Sequence, residues 1–346
     1  MCRAIGCALI VGLICASRSL AAPQTWDYRG GGQWQQAPVA ATNPSAPTSD
    51  PTLDRVEQLI ASGRYDQAKD EGISWFKRNR SSPLADRALF LIAIAQDKSG
   101  NGIKAFYYFD QLLDEHPDSS LFATAMQKQY DIGDSYLRGR KMKFLGMPIL
   151  GAEEEGVEIM YRVQQRAPSS PIAEKALLRT ADFYFADRQY DLSQDAYGVF
   201  IRQYPRSPSV PRARLKQAYS AYALFHGPRF EITPIIDARE RLATLMVEYP
   251  QISEQENIPA MLGQIDRAMS RKLYLTADFY RRTNELKAAA FNYRYLLRAY
   301  PDSDEAKLAD ARLKKLPSWA LELPEPKVQQ DTAALRTQPL PMPKVR

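Results

Sequence analysis

Apolar residues recur along this chain at three- and four-residue intervals, in blocks, and the blocks come in pairs. The cleanest pair is residues 171–208, PIAEKALLRTADFYFADRQYDLSQDAYGVFIRQYPRSP. Leu177, Ala181 and Tyr184 fall on one face of a first helix, and Tyr190, Ser193, Tyr197, Phe200 and Ile201 on one face of a second. Pro205 ends the pair, because proline lacks the N–H that a continuing helix donates. Ser207 followed by Pro208 reads as an N-cap with proline in the first turn of the next helix.

Counting back from the proline gives a register: a small residue at minus 12, bulky residues at minus 8 and minus 5, and usually an aromatic at minus 1. Pro117 finds Ala105, Phe109, Leu112 and His116; Pro250 finds Ala238, Leu242, Leu245 and Tyr249; Pro301 finds Ala289, Tyr293, Leu296 and Tyr300. Pro168 gives a weaker copy with Gly156, Met160, Val163 and Ala167. A degenerate first copy carries Tyr65, Ala68, Gly72 and Trp75, with Arg80 in the proline slot and Ser82-Pro83 opening the next helix. The first helices repeat as well: Thr180-Ala181-Asp182-Phe183-Tyr184 returns as Thr276-Ala277-Asp278-Phe279-Tyr280, and more loosely as Ile132-Gly133-Asp134-Ser135-Tyr136.

A small residue four before an aromatic in the second helix, then a proline, is the tetratricopeptide pattern, whose period is about 34 residues. The small residue lets two helices approach, the aromatic fills the space beside it, and neighbouring hairpins stack to bury their apolar faces. The expected fold is therefore all-α: a right-handed tetratricopeptide-type helical-hairpin solenoid of about five to six repeats, with disordered termini. The slots at 80, 117, 168, 205, 250 and 301 are 37, 51, 37, 45 and 51 residues apart, so the longer gaps mark insertions.

The predicted organisation is a signal peptide at 1–21, a disordered linker at 22–50, N-terminal repeats at 51–118, further repeats at 119–316, and a disordered tail at 317–346. The leader has Arg3, an apolar run from Ala4 to Ala16, and Ser19-Leu20-Ala21 as a cleavage site; its run is too short to span a bilayer. Lipidation at Cys15 is the alternative, with Ile14 standing where a small residue is wanted. All three cysteines, Cys2, Cys7 and Cys15, fall in this leader, so the rest of the chain has no disulfide or thiol chemistry. In the linker, Trp26, Tyr28 and Trp34 flank Gly30-Gly31-Gly32, which reads as chance aromatics or as a docking strap.

The insertion after Tyr136 reads LRGRKMKFLGMPILGAEEEG. The expectation is an extended loop that folds its apolar residues back on the solenoid while its charges stay solvated. The alternative is a basic, apolar-tipped finger for an anionic membrane or a partner. A second insertion surrounds His226-Gly227-Pro228-Arg229-Phe230, and the sixth repeat begins with a basic helix through Arg267, Arg271 and Lys272.

Charge and chemistry narrow the function by exclusion. Of 46 basic residues two, Arg3 and Arg18, lie in the leader, leaving 44 against 40 acidic ones, and no concentrated basic stripe suits nucleic acid. His116 takes the slot that is tyrosine in three other copies and reads as packing; His226 sits beside Gly and Pro and reads as a turn residue. No HExxH, GxSxG or phosphate-cradling glycine loop occurs. The expectation is no catalytic residue, no metal and no cofactor. A solenoid of this kind binds partners along the concave face of its first helices. Asp182, Arg188, Arg267, Asp278, Arg281 and Arg282 are the expected partner-binding residues, over a repeat core of Ala181, Tyr184, Tyr197, Phe200, Pro205, Ala277, Tyr280, Ala289, Tyr293 and Pro301.

From about residue 150 to 316 the chain resembles the BamD (YfiO-like) outer-membrane assembly lipoproteins. The resemblance lies in Phe200-Ile201-Arg202-Gln203-Tyr204-Pro205, in the unit before Pro250, and above all in the last unit. There Ala277-Asp278-Phe279-Tyr280-Arg281-Arg282, Ala288-Ala289, Leu296-Leu297-Arg298-Ala299-Tyr300-Pro301-Asp302-Ser303 and Ala306 follow that family's order. It implies an exported, non-catalytic scaffold of the periplasm, associated with the outer membrane. The implied partners are an outer-membrane barrel-assembly protein with periplasmic domains and unfolded outer-membrane substrates. The poor lipobox and the extra repeats at 51–118 depart from the family. A soluble periplasmic tetratricopeptide adaptor for an envelope or cell-division complex is the alternative.

Overall fold

The computed structural model describes residues 26–29, 33–36, 49–144 and 147–322. The expected leader at 1–21 with Cys15, and the tail from 323 onward, lie outside the described residues. By its internal contacts the chain divides into two compact units, residues 1–172 and 173–346. Among the described residues six helical hairpins account for almost all of the structure, and every proline slot read from the sequence follows a second helix.

The first unit opens with an antiparallel pair, β1 (Trp26–Arg29) and β2 (Gln33–Gln36), in register Trp26 to Gln36 through Arg29 to Gln33. The linker expected here thus contains a strand pairing that its composition does not announce. Three hairpins follow: α1 (Pro51–Ala61) with α2 (Tyr65–Arg78), α3 (Ala85–Lys98) with α4 (Gly102–Glu115), and α5 (Phe122–Leu137) with α6 (Glu153–Arg166). The second unit holds α7 (Pro171–Ala186) with α8 (Tyr190–Gln203) and α9 (Val210–Ala223) with α10 (Thr233–Glu248). Then come the short α11 (Pro250–Gln255), the 25-residue α12 (Ile258–Arg282) with α13 (Leu286–Ala299), and α14 (Asp304–Leu313). A turn of helix, α15 (Ser318–Leu321), lies where the tail was expected; Ala320 is buried and the Arg294 guanidinium donates to the Leu321 carbonyl at 2.8 Å.

The repeat register is a packing register. The small residues Ala68, Ala105, Gly156, Ser193, Ala238 and Ala289 are all buried, and so are Phe109, Met160, Tyr197, Leu242 and Tyr293 one turn further on. Trp75, Leu112, Val163, Phe200, Leu245 and Leu296 complete the stripe. Each fully buried side chain of this size contributes about 1.5–3 kcal/mol relative to exposure. Between α5 and α6 the backbones approach closely: a Cβ added at Gly156 would stand 3.1 Å from the Gly133 carbonyl oxygen, and one at Gly133 3.3 Å from that of Gly156.

Helix ends repeat as faithfully. His116, Ala167, Tyr204, Tyr249 and Tyr300 are C-caps with φ between −123° and −143° and ψ between 58° and 69°. The following proline ring excludes the helical ψ for each of them. Asn79, followed by Arg80, relaxes to ψ 38°. Pro168, Pro205, Pro250 and Pro301 are exposed and Pro117 is half-buried, so Pro205 and Pro301 stop helices and are not the core residues expected. The N-cap expected at Ser207 is also corrected. Its hydroxyl accepts from the Ser209 N–H at 3.1 Å, a turn that delays α9 to Val210; Ser82 does the same for Leu84 before α3.

The first insertion forms a ribbon, β3 (Met142–Phe144) paired with β4 (Met147–Leu150), and it reverses the expectation. Arg140 and Lys143 are docked on the body, Lys141 is exposed, and Met147 and Leu150 are exposed as well. The Arg140 guanidinium bonds Asp97 at 2.7 Å and lies 5.4 Å over the Tyr136 ring, while the Lys143 ammonium donates to the Ser99 carbonyl. Met147 is 57% and Leu150 45% exposed. In the second insertion His226 is exposed, its ring edge-on to Phe230, and Lys272 of α12 donates to the Phe230 carbonyl at 3.0 Å.

Candidate partner-binding surface

In the second unit the first helices α7, α9 and α12 carry the expected surface. Thr180 and Thr276 return their hydroxyls to the carbonyls of Ala176 and Lys272, each at 3.0 Å, so the two matching segments are set alike on α7 and α12. Two residues further, Asp182 and Asp278 meet different neighbours.

Asp182 is tied inward. Its Oδ1 accepts from the Tyr197 hydroxyl and from the Lys216 ammonium, both at 2.5 Å, joining α7 to α8 and α9. Lys216 also lies 5.5 Å from the Phe185 ring centre and 6.0 Å from that of Tyr197. Burial, and then the bond to Asp182, push the Tyr197 hydroxyl far above its ordinary pKa. Beneath it, Ser220 donates to the Ser193 hydroxyl at 3.0 Å.

Asp278 is tied along its own helix. Arg281 Nε donates to it at 2.9 Å and Arg282 Nε lies at 3.3 Å, which leaves the Arg282 side chain 65% exposed. The Arg281 pKa is raised chiefly by that bond. The Tyr293 hydroxyl, equivalent to that of Tyr197, lies beside Arg281 and Asp278 without a well-formed hydrogen bond. Burial and the Asp278 charge push it up to about 12.

The remaining sequence-predicted residues fall in three places. Ala181, Tyr197, Phe200, Ala277, Tyr280, Ala289 and Tyr293 are core, as the register requires. Tyr184 is only half-buried, where its counterpart Tyr280 is covered. Arg188 stands in the turn between α7 and α8 with φ 62°, and Arg267 is exposed on α12. Sequence reasoning passed over Lys216 and Phe185, which complete the Asp182 cluster; Lys216 lies 34 residues from its carboxylate, one repeat on.

A cleft of about 300 Å³ lies between α8, α9 and α10, lined by Ile201, Arg214, Gln217, Asp237, Glu240, Arg241 and Thr244. Its cations are matched: Arg214 to Glu248 at 2.5 Å and Arg241 to Asp237 at 2.8 Å. Among the described residues no group of three or more His, Cys, Asp or Glu could hold a metal ion, and no helix is long and apolar enough to cross a membrane.

Residues 152–329 match the family model YfiO, described as an outer membrane lipoprotein, which is about half of the chain. The chain belongs to the YfiO family. A tetratricopeptide-repeat model matches residues 87–119, which covers α3 and α4 and lies ahead of the YfiO span. No curated protein matches the chain. Among solved structures, the C-terminal part of a repeat protein from Cytophaga hutchinsonii is 13% identical, covering 75% of this chain and 86% of that one, at a TM-score of 0.33. A tetratricopeptide repeat protein from Parabacteroides merdae is 13% identical, covering 76% and 96%, at 0.32. PilF of Pseudomonas aeruginosa is 14% identical, covering 75% and 96%, at 0.27. Within the YfiO span lie α7 to α15 with both aspartate clusters, and the described first-unit hairpins α1 to α4 precede it.

Proposed function

We propose that this protein is a non-enzymatic periplasmic scaffold, associated with the outer membrane, that holds partner proteins while β-barrel proteins are assembled and inserted there. The YfiO match over residues 152–329 carries the reading. Stacked hairpins that leave a face of first helices exposed suit protein binding. The partners are a barrel-assembly protein with periplasmic domains and unfolded outer-membrane substrates. They meet Asp278, Arg281, Arg282 and Arg267 on α12, and Asp182 and Arg188 on and after α7. Of these Arg282 and Arg267 are the most available, while Asp182 shapes the face through Lys216.

Affinity purification of the tagged protein from detergent-solubilised envelopes tests this. The expected result is stoichiometric recovery of a large outer-membrane barrel with soluble repeats, lost on Arg281→Glu/Arg282→Glu. The second reading, a soluble adaptor, is favoured by the tetratricopeptide match that lies outside the YfiO span. Release into the periplasmic fraction with no barrel recovered would select it and sink the first.

A further inference from the structure

The cleft between α8, α9 and α10 has no task in the scaffold reading, and its lining is chemically selective. Two helices supply most of it by register. Arg214 and Gln217 stand three residues apart on α9, and Asp237, Glu240, Arg241 and Thr244 follow one another on α10 at intervals of three, one and three, so each set shares one face of its helix. Ile201 of α8 closes the third side. At about 300 Å³ the space is at the lower end for a small-molecule site.

Its side chains carry hydrogen-bonding capacity that the protein does not use. Gln217 is 8% exposed, and its Nε2 donates to the Gln194 carbonyl at 3.1 Å. A carbonyl accepts only from an N–H, so that bond fixes the orientation of the amide and leaves Oε1 as an acceptor; no hydrogen bond from a described residue ends on it. Arg214 is held by Glu248 through Nη1, and its buried Nε has no hydrogen-bond partner. One turn of α9 thus presents an unused acceptor beside an unused donor, the complement of a secondary amide, whose N–H donates and whose C=O accepts. The rest of the lining selects what carries that amide. Two cations, Arg214 and Arg241, stand with two carboxylates, Asp237 and Glu240, so the lining has no net charge and favours a neutral ligand. Six of the seven lining side chains are polar, which leaves little to hold an apolar peptide side chain. Carboxylate beside guanidinium suits hydroxyl groups, which donate to the one and accept from the other.

We propose that this cleft binds an N-acetylated hexosamine. The acetamido carbonyl meets the Arg214 guanidinium, the acetamido N–H meets Gln217 Oε1, and the ring hydroxyls meet Asp237, Glu240 and Arg241. The inference does not depend on which proteins the first helices hold.

Isothermal titration calorimetry of the full chain with N-acetylglucosamine, glucose and N-acetylalanine methylamide is the test. The wild-type chain is expected to bind N-acetylglucosamine at least about ten-fold more tightly than either of the others, because glucose lacks the amide and the methylamide lacks the hydroxyls. Arg214→Ala is expected to weaken the sugar about ten-fold or more. Thr244→Trp, at an exposed position of the lining, is expected to block the cleft and abolish binding with an unchanged thermal melt, which keeps the comparison within folded protein. The proposal falls if the wild-type chain does not bind N-acetylglucosamine, if glucose binds equally well, or if Thr244→Trp binds as the wild type does. It falls too if N-acetylalanine methylamide binds as tightly as the sugar or more so, which would make the cleft a peptide site.

Discussion

At Arg188 a long β-carbon-bearing side chain occupies the left-handed region, at φ 62°, in a turn where three other hairpins place Gly63, Gly100 and Gly139. The motif is the same in each: the Gln189 N–H reaches back to the Tyr184 carbonyl as Asn101 does to Gln96. Arg188→Gly is expected to stabilise the protein by about 1 kcal/mol, since glycine has no Cβ to strain there. Urea denaturation measures it, and a loss of stability would contradict the turn. Asn284, at φ 65°, gains less from the same change because asparagine tolerates this region. The core register was legible in the sequence because burial demands apolar residues at fixed intervals, and Tyr197, Phe200, Tyr293 and Leu296 obey it. Arg188 was not legible as strained, since a turn's sign of φ leaves no mark on an arginine. Nor was the Lys216 partnership, because nothing local links residue 216 to Asp182.

Among elements, the hairpins were readable and the insertions were not. An insertion shows in the spacing of prolines, but the direction it faces depends on distant groups: Arg140 finds Asp97 and Lys143 finds Ser99, 43 and 44 residues back. Arg140→Ala removes the ion pair and the contact over Tyr136. It is expected to raise hydrogen exchange at residues 98–101 and 141–143 several-fold, with α7 to α10 unaffected; uniform exchange across the chain would refute the clasp. The α5–α6 contact makes a stricter demand. Gly156→Val would drive side-chain atoms against the Gly133 carbonyl, and the expected loss is about 1–3 kcal/mol in chemical denaturation. A neutral result would mean that these helices are not held as close as the backbone places them.

For the molecule as a whole, buried tyrosines set the response to alkali, most of them in the second unit, with Tyr136 in the first also raised by burial. Burial pushes the hydroxyls of Tyr204, Tyr219 and Tyr293 up to about 12, and those of Tyr197 and Tyr300 higher. Unfolded tyrosines titrate near about 10, so above that pH the unfolded chain holds fewer protons than the native one and stability falls as pH rises. Urea midpoints are expected to be level up to about pH 9.5 and to decline beyond it, more gently in Tyr197→Phe. A slope identical in that variant would remove Tyr197 from the account. The family, too, was legible at this scale, because the order of units read from about 150 to 316 overlaps the matched span 152–329 over all but its first residues. The central claim is that the first helices of the second unit hold a partner. Its most direct test is a photo-crosslinking residue at Arg282, on α12, compared with one at Val247, 77% exposed on the second helix α10. A discrete adduct with an outer-membrane assembly protein from position 282, absent from 247, is the predicted result. No adduct from 282, or the same adduct from both positions, would contradict it.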